Sequence, residues 1–290
     1  MTNGNQARLS LVICHCGQPM RYLAIGHICQ DLLPNGWMFG GAATYSSRMA
    51  HALGCQVQVL TSLRPDVDVR PALADIEVVN YPSDHTTTFE NVYTSAGRHQ
   101  TLHAVAERLT PDRFPEAQAA DIVHLAPIAQ EVDPGWLDRF PGALIGVTPQ
   151  GWLRQWDAQG RISPTGWAAA AEVLPRADVV VISIEDVAHD EALAQQWAAQ
   201  ARMLVVTRGA HGCTVHRNNT VTAVPAPAVQ IVDATGAGDI FAASFLVRLR
   251  QSGDPIVAAR FASCLASQSI TRRGLDSIPT PSEIDQCRAA

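Results

Sequence analysis

Four short apolar runs, 122–125, 143–148, 179–184 and 203–207, constrain this chain more than any other feature. Each is too short for an ordinary helix, and between them lie stretches of helical pattern at 134–140, 164–174 and 185–201. Strands that read as continuous apolar runs are buried on both faces, and strands alternating with helices form a parallel sheet with right-handed crossovers. The upstream half supplies further strands at 21–29, 56–60 and 76–81. A helix opens at Gly40-Gly41, runs to Leu53 and stops at Gly54, and a short one covers 69–74. A hairpin of 213–216 and 221–224 turns at Asn218-Asn219, and late helices cover 255–271 and 281–288. The expectation is a single α/β unit spanning 20–290 around a mostly parallel sheet. It carries a small β excursion from 30–39, which bends at Pro34-Asn35-Gly36, and from 86–100. The segment 86–93 breaks near Gly97 and resumes at 98–102; as a polar hairpin without its own hydrophobic face it reads as an exposed flap.

Composition removes several functional classes. A net charge of −6 with no basic run argues against nucleic acid as a partner. Lysine is absent and all 21 basic residues are arginine, which excludes a Walker A loop and Schiff-base chemistry. Side-chain contacts to phosphate must therefore come from arginine or a metal. The seven cysteines are odd in number and scattered through a chain too large to need staples, so reduced thiols are expected rather than disulfides. Cys14-His15-Cys16 with His27 and Cys29 matches no zinc spacing and reads as buried thiols on neighbouring strands. No apolar run approaches the length of a membrane span, so no membrane partner and a cytoplasmic location are expected. Residues 1–19 show no period or caps and read as a loosely attached extension, with Met20 as the natural start; deleting them should leave activity intact.

The chemistry concentrates in 232–246. Gly236 and Gly238 flank Ala237 and lead into a buried helix. A glycine turn opening a helix presents free N–H groups and the positive end of the dipole, a site for phosphate. Asp239 would repel that phosphate unless it has another task, and accepting a proton from an attacking hydroxyl is one. A second glycine-bearing turn, Thr207-Arg208-Gly209-Ala210-His211-Gly212, ends another strand, and two such turns suit a polyphosphate. Other loops after strands carry Asp31, Gln150-Gly151 and Ser183 to Asp186.

These residues carry a resemblance. Gly40-Gly41 with Ala52-Leu53-Gly54, then Thr207-Arg208-Gly209 with Gly212, then Asp233-x-Thr235-Gly236-Ala237-Gly238-Asp239-x-Phe241 resembles the ribokinase-like carbohydrate kinases, the PfkB family, in order and across 21–281. The resemblance implies a three-layer α/β/α ribokinase-like fold with a small β lid. It also implies ATP- and magnesium (Mg2+)-dependent transfer of the γ-phosphoryl to a hydroxyl of a small polyol: a sugar, a nucleoside, or a cyclitol such as myo-inositol. It assigns Asp239 as the base and the amides of Gly236, Ala237 and Gly238 as the anion hole. Asp31, Gly40, Gly41, Gln150 and Arg154 fall to the acceptor, and Ser183, Thr207, Arg208, Gly209, Gly212, Thr235 and Gly238 to the nucleotide. Glu185 or Asp186 stands for the family's magnesium-ordering residues, though Ser183 and Asp186 serve equally as helix caps. Tyr45 departs from the asparagine often found after the Gly-Gly pair. Arg98 reaches substrate from the flap or is simply solvated, and Trp152 and Trp156 pack a surface helix. Family members also use potassium (K+) near the Asp233 loop and the Gly274 turn, and a dimer through the lid is expected. The rival reading is a non-catalytic polyol or nucleotide sensor on the same scaffold.

Overall fold

The computed structural model describes residues 18–94 and 97–289. In chain order the elements are β1 Arg21–Ile25, β2 Cys29–Leu33, β3 Gly36–Gly40, α1 Ala42–Ala52, β4 Gln56–Leu63, α2 Arg70–Leu73, β5 Glu77–Pro82, β6 Thr88–Thr94 and β7 Gly97–Ala104. Then come β8 Ile122–Leu125, β9 Leu144–Val147, β10 Arg154–Trp156, β11 Ile162–Pro164, α3 Ala170–Val173, β12 Val179–Ser183, α4 Glu191–Ala198 and β13 Leu204–Thr207. The chain closes with β14 Cys213–Arg217, β15 Thr220–Val224, α5 Ala237–Ser252, α6 Pro255–Ser269 and α7 Pro281–Ala289.

Nine strands form one sheet in the order β15-β14-β13-β12-β9-β8-β1-β4-β5. It is parallel from β13 to β5, and the β14–β15 hairpin adds an antiparallel edge. The period-2 alternation of the strands divides their side chains between two cores. Tyr22, Ala24, Val57, Val59, Val181 and Val205 face one side, with Met49, Phe245, Phe261 and Ile284 from α1, α5, α6 and α7. Leu23, Ile25, Val123, Leu125, Val180, Ile182 and Val206 face the other, with Trp136, Trp152, Trp167 and Trp197. Each fully buried large side chain contributes about 1.5–3 kcal/mol, which makes this three-layer arrangement the stable solution. Helix α5 lies close on the sheet: a Cβ at Gly146 of β9 would come within 2.4 Å of the Leu246 side chain.

Strand 21–29 is two strands. At Gly26 the chain passes so near Ala126 that a Cβ would lie 2.4 Å from its carbonyl oxygen, and it then leaves the sheet to enter a second one. That lid runs β3-β2-β6-β7, with β2 and β6 parallel and tight antiparallel hairpins at both edges. The lid is not without an apolar face: Phe89 and Leu102 are buried with Cys29, Ala42, Ala126, Ile128 and Ala129 in a small core of their own. Three expected helices are shorter than their patterns. The 134–140 segment is a 3₁₀ turn, Pro134–Asp138. Only Ala170–Val173 of 164–174 is helical, after β11 uses Pro164. The 185–201 segment begins as a 3₁₀ turn that left-handed Ala188 and His189 separate from α4, capped afresh by Asp190.

Cysteine usage departs from expectation. Cys264 on α6 and Cys287 on α7 form a disulfide, Cα–Cα 5.7 Å, because packing of these consecutive helices aligns positions that their scatter in sequence leaves unmarked. Cys29, Cys55 and Cys213 are buried free thiols, whereas Cys14 and Cys16 lie outside the described residues, as does the extension to residue 17. His27 is a core histidine bonded to the Thr87 hydroxyl and the Glu107 carbonyl. Among the described residues no helix is long and apolar enough to cross a membrane.

Candidate active site

The site forms where the carboxyl ends of the parallel strands meet the lid. Gly236 adopts φ 78°, a left-handed conformation that favours glycine, and caps α5. A Cβ there would strike the Tyr45 ring at 2.4 Å, so this turn rests directly on an aromatic ring. At Gly238, by contrast, a Cβ would meet nothing within 4 Å, and the space above the first turn of α5 is open. Among the described residues the amides of Gly236 and Gly238 have no hydrogen-bond partner, whereas that of Ala237 already donates to the Ala234 carbonyl at 3.2 Å. Two of the three expected anion-binding amides are thus available. Asp233 accepts from the Thr235 amide at 2.9 Å and shapes the approach to the turn.

Asp239 sits on the first turn of α5, partly buried. Burial pushes its carboxyl up to about 7; the Arg154 guanidinium pulls against that shift and the Asp186 carboxylate adds to it. A carboxyl that titrates near neutrality is suited to accept a proton and release it again. Arg154, at the start of β10, donates to the Ile128 carbonyl at 3.3 Å. Asp186 belongs to a capping box in which its Oδ2 accepts the Ser183 amide at 2.8 Å, and the Gln150 side chain bonds it as well. Desolvation nonetheless raises the Asp186 carboxyl above its ordinary value. Gln150 and Arg154, expected at the acceptor, therefore lie against the carboxylates Asp186 and Asp239. The capping role of Ser183 and Asp186 is realised, while Glu185 is exposed.

Asp31, Gly40 and Gly41, expected at the acceptor, lie on and just after the β2–β3 hairpin. A Cβ at Gly40 would lie 2.0 Å from Asp31 Oδ2, so glycine there admits the carboxylate. Asn91 of β6 donates to Asp31 Oδ1 at 3.4 Å and is itself fixed by Gln100 of β7 at 3.0 Å. Gly41, at φ 96°, opens α1 against the His27 carbonyl. Burial, first of all, and then the carboxylates of Asp31, Asp239 and Asp233 raise the Tyr45 phenol beyond its ordinary range.

The second glycine turn lies beside the first carboxylates, since Thr207 of β13 pairs in register with Ser183 of β12. Gly212, at φ 82°, closes it against the Val224 carbonyl, and Gly209 opens onto free space. Arg208 is held by an ion pair with Glu191 and by the Thr214 hydroxyl, which anchors its guanidinium to α4. The Arg98 side chain lies outside the described residues. Trp152 is buried and stacked on Trp167 in the core, and Trp156 is exposed.

Sequence reasoning missed Glu131. Its carboxylate, 1% exposed, accepts from the amides of His27, Ile128 and Ala129 at 2.7–3.1 Å, tying the end of β1 to the loop whose Ile128 carbonyl accepts from Arg154. Nothing in the run Ala126-Pro127-Ile128-Ala129-Gln130-Glu131 marks such a residue, because its partners are all backbone amides.

Residues 159–282 match the model of the pfkB family carbohydrate kinases. A cytidine kinase of Thermococcus kodakarensis is 26% identical over 77% of this chain and 86% of its own length. An inositol 3-kinase of Zea mays is 25% identical over 91% of this chain and 76% of its own. A solved pyrophosphate-dependent kinase of the ribokinase family, complexed with a pyrophosphate analog and myo-inositol, superposes with a TM-score of 0.77 at 19% identity, over 92% of this chain and 99% of that one. The fold is that of the ribokinase family. The resemblance to the ribokinase-like carbohydrate kinases, the pfkB family, is thus supported by the match over residues 159–282 and by the shared fold.

Proposed function

We propose that this protein transfers the γ-phosphoryl group of ATP to a hydroxyl of a small polyol. One observation carries the reading: a carboxyl held near neutrality, Asp239, stands at the open mouth of a glycine turn with unpartnered amides. The acceptor O–H gives its proton to Asp239 as its oxygen bonds the phosphorus, and the bond from phosphorus to the ADP oxygen breaks. Charge on the transferring group falls to the Gly236 and Gly238 amides and the α5 dipole. In a loose transition state the proton moves late, so a base titrating at about 7 suffices. Asp31, braced by Asn91, receives hydroxyls of the acceptor.

Asp186 and Glu185 offer the hard oxygen donors magnesium prefers. Among the described residues no group of three His, Cys, Asp or Glu side chains suits a metal, so donor phosphates and water would have to complete such a shell. Magnesium there neutralises phosphate charge when bound. Ile231 and Val232, 61% and 48% exposed just before the turn, favour ATP over pyrophosphate, because an apolar edge serves a nucleobase and has no use to a bare anion. The related cytidine and inositol kinases support a polyol acceptor of nucleoside or cyclitol size.

The test is ADP release with magnesium across pentoses, hexoses, cyclitols and nucleosides, run in parallel with pyrophosphate as donor. Turnover with at least one acceptor is expected. Binding of these compounds without any turnover would instead assign the chain to the sensor class.

A further inference from the structure

The two halves of the site stand on two bodies. Asp31 and its Asn91–Gln100 brace belong to the lid, whereas Asp239 belongs to α5 on the main sheet. An acceptor gripped by the one is aligned with the other only as accurately as the lid is set on the sheet. Four passages of the chain make that join: β1 to β2, β3 to α1, β5 to β6, and β7 towards β8. All four converge on His27, which lies in the first passage, is 0% exposed and has no task in the reaction described above.

A Cβ at Gly41, in the second passage, would lie 2.6 Å from the His27 carbonyl oxygen. In the third, the Thr87 hydroxyl lies 2.7 Å from Nδ1 of the His27 ring, and in the fourth the Glu107 carbonyl oxygen lies 2.9 Å from Nε2. The Ala106 amide, beside Glu107, donates to the Thr87 hydroxyl at 3.0 Å. The partners fix the direction of every bond. A carbonyl only accepts, so Nε2 carries the proton. Burial lowers the imidazole below its ordinary value, against the opposing pull of the Glu131 carboxylate, and the neutral ring accepts from Thr87 at Nδ1. Ala106 thus donates to Thr87, Thr87 to His27, and His27 to Glu107, and each polar atom of the joint is paired. The His27 backbone amide donates to Glu131 at 3.1 Å, and Glu131 also holds Ile128, whose carbonyl accepts from Arg154.

We propose that His27 is a positioning residue that sets the lid over Asp239, so that the phosphoryl group passes to the bound hydroxyl and not to water. The inference rests on the kinase reading. With the joint broken, the lid no longer shuts water out of the site. A water oxygen then bonds the γ-phosphorus, its proton goes to Asp239, and the bond from phosphorus to the ADP oxygen breaks, giving ADP and inorganic phosphate. A residue that served the fold alone would change stability and leave this partition between hydroxyl and water as it was.

His27→Ala, His27→Gln and Thr87→Val test this, each assayed well below its own melting temperature with ATP, magnesium and the acceptor that the wild type turns over fastest. ADP, phosphate ester and inorganic phosphate are measured together. His27→Ala and Thr87→Val should raise inorganic phosphate from a trace to about half of the ADP released or more, and lower kcat/KM for the acceptor about 10²-fold. Glutamine offers an amide oxygen to Thr87 and an N–H to the Glu107 carbonyl, so His27→Gln should stay close to wild type in both readouts. An unchanged phosphate share in a folded His27→Ala or Thr87→Val variant overturns the proposal while leaving the kinase reading in place. A His27→Gln variant as uncoupled as His27→Ala overturns it too, and so does failure of both His27→Ala and Thr87→Val to fold, which assigns the joint to the fold alone. Absence of ester from the wild type removes the kinase reading and this inference with it.

Discussion

An Asp239→Asn substitution should remove nearly all turnover and at the same time stabilise the folded protein. Burial holds the Asp239 carboxyl at about 7 against an ordinary value of 3.8, so the folded state resists ionising it. Between these values the unfolded chain has lost the proton and the folded one retains it, so stability falls as pH rises and levels off above 7. That difference amounts to about 4 kcal/mol at pH 8 and to roughly 2 kcal/mol at pH 5. Asparagine carries no such cost. The variant should therefore melt about 8 °C above wild type at pH 8, with a clearly smaller margin at pH 5. Over the same range kcat should drop by about 10²- to 10⁴-fold, the range for loss of a general base. Melting by circular dichroism at the two pH values, beside turnover at pH 8, measures all of this. A margin that stays constant from pH 5 to pH 8 would refute the perturbed carboxyl, and unimpaired turnover would refute the base.

Gly238→Val should fold normally, because the space at its Cβ position is open, yet lose about 10²-fold or more in kcat by occupying the anion site; full activity contradicts that assignment. Asp31→Ala should raise the acceptor KM at least tenfold while changing that of ATP little, and the reverse pattern would move Asp31 out of the acceptor site. Arg154→Gln should shift the acidic limb of the kcat/KM profile to higher pH, since its guanidinium opposes the rise of the Asp239 carboxyl. An unmoved limb separates Arg154 from the base.

The sheet was legible because its signals are local. Apolar runs such as Val179 to Ile182 leave few alternatives, and the glycine turn before Asp239 carries its chemistry within a few residues. The lid was half legible. Its polar strands are visible as alternation, but the burial of Phe89 and Leu102 depends on Ala126 and Ile128 from a distant loop. The helices read too long, since apolar spacing continues through Ala188 and His189 while left-handed backbone there ends the turn. The grouping of Arg154 with Asp186 and Asp239 had no sequence signal, because it joins a strand, a 3₁₀ turn and a helix start well separated in the chain. Glu131 and the Cys264–Cys287 disulfide belong to the same class: contacts created by packing, with no pattern along the chain.

Phosphorus NMR of the wild-type protein with ATP, magnesium and the best acceptor of the screen addresses the central claim directly. A phosphomonoester resonance should grow in step with ADP, and it should grow at least about a hundredfold more slowly when Asp239→Asn replaces wild type. Release of inorganic phosphate without an ester, or an ester formed equally by the Asn variant, would contradict Asp239 as the base of a polyol kinase.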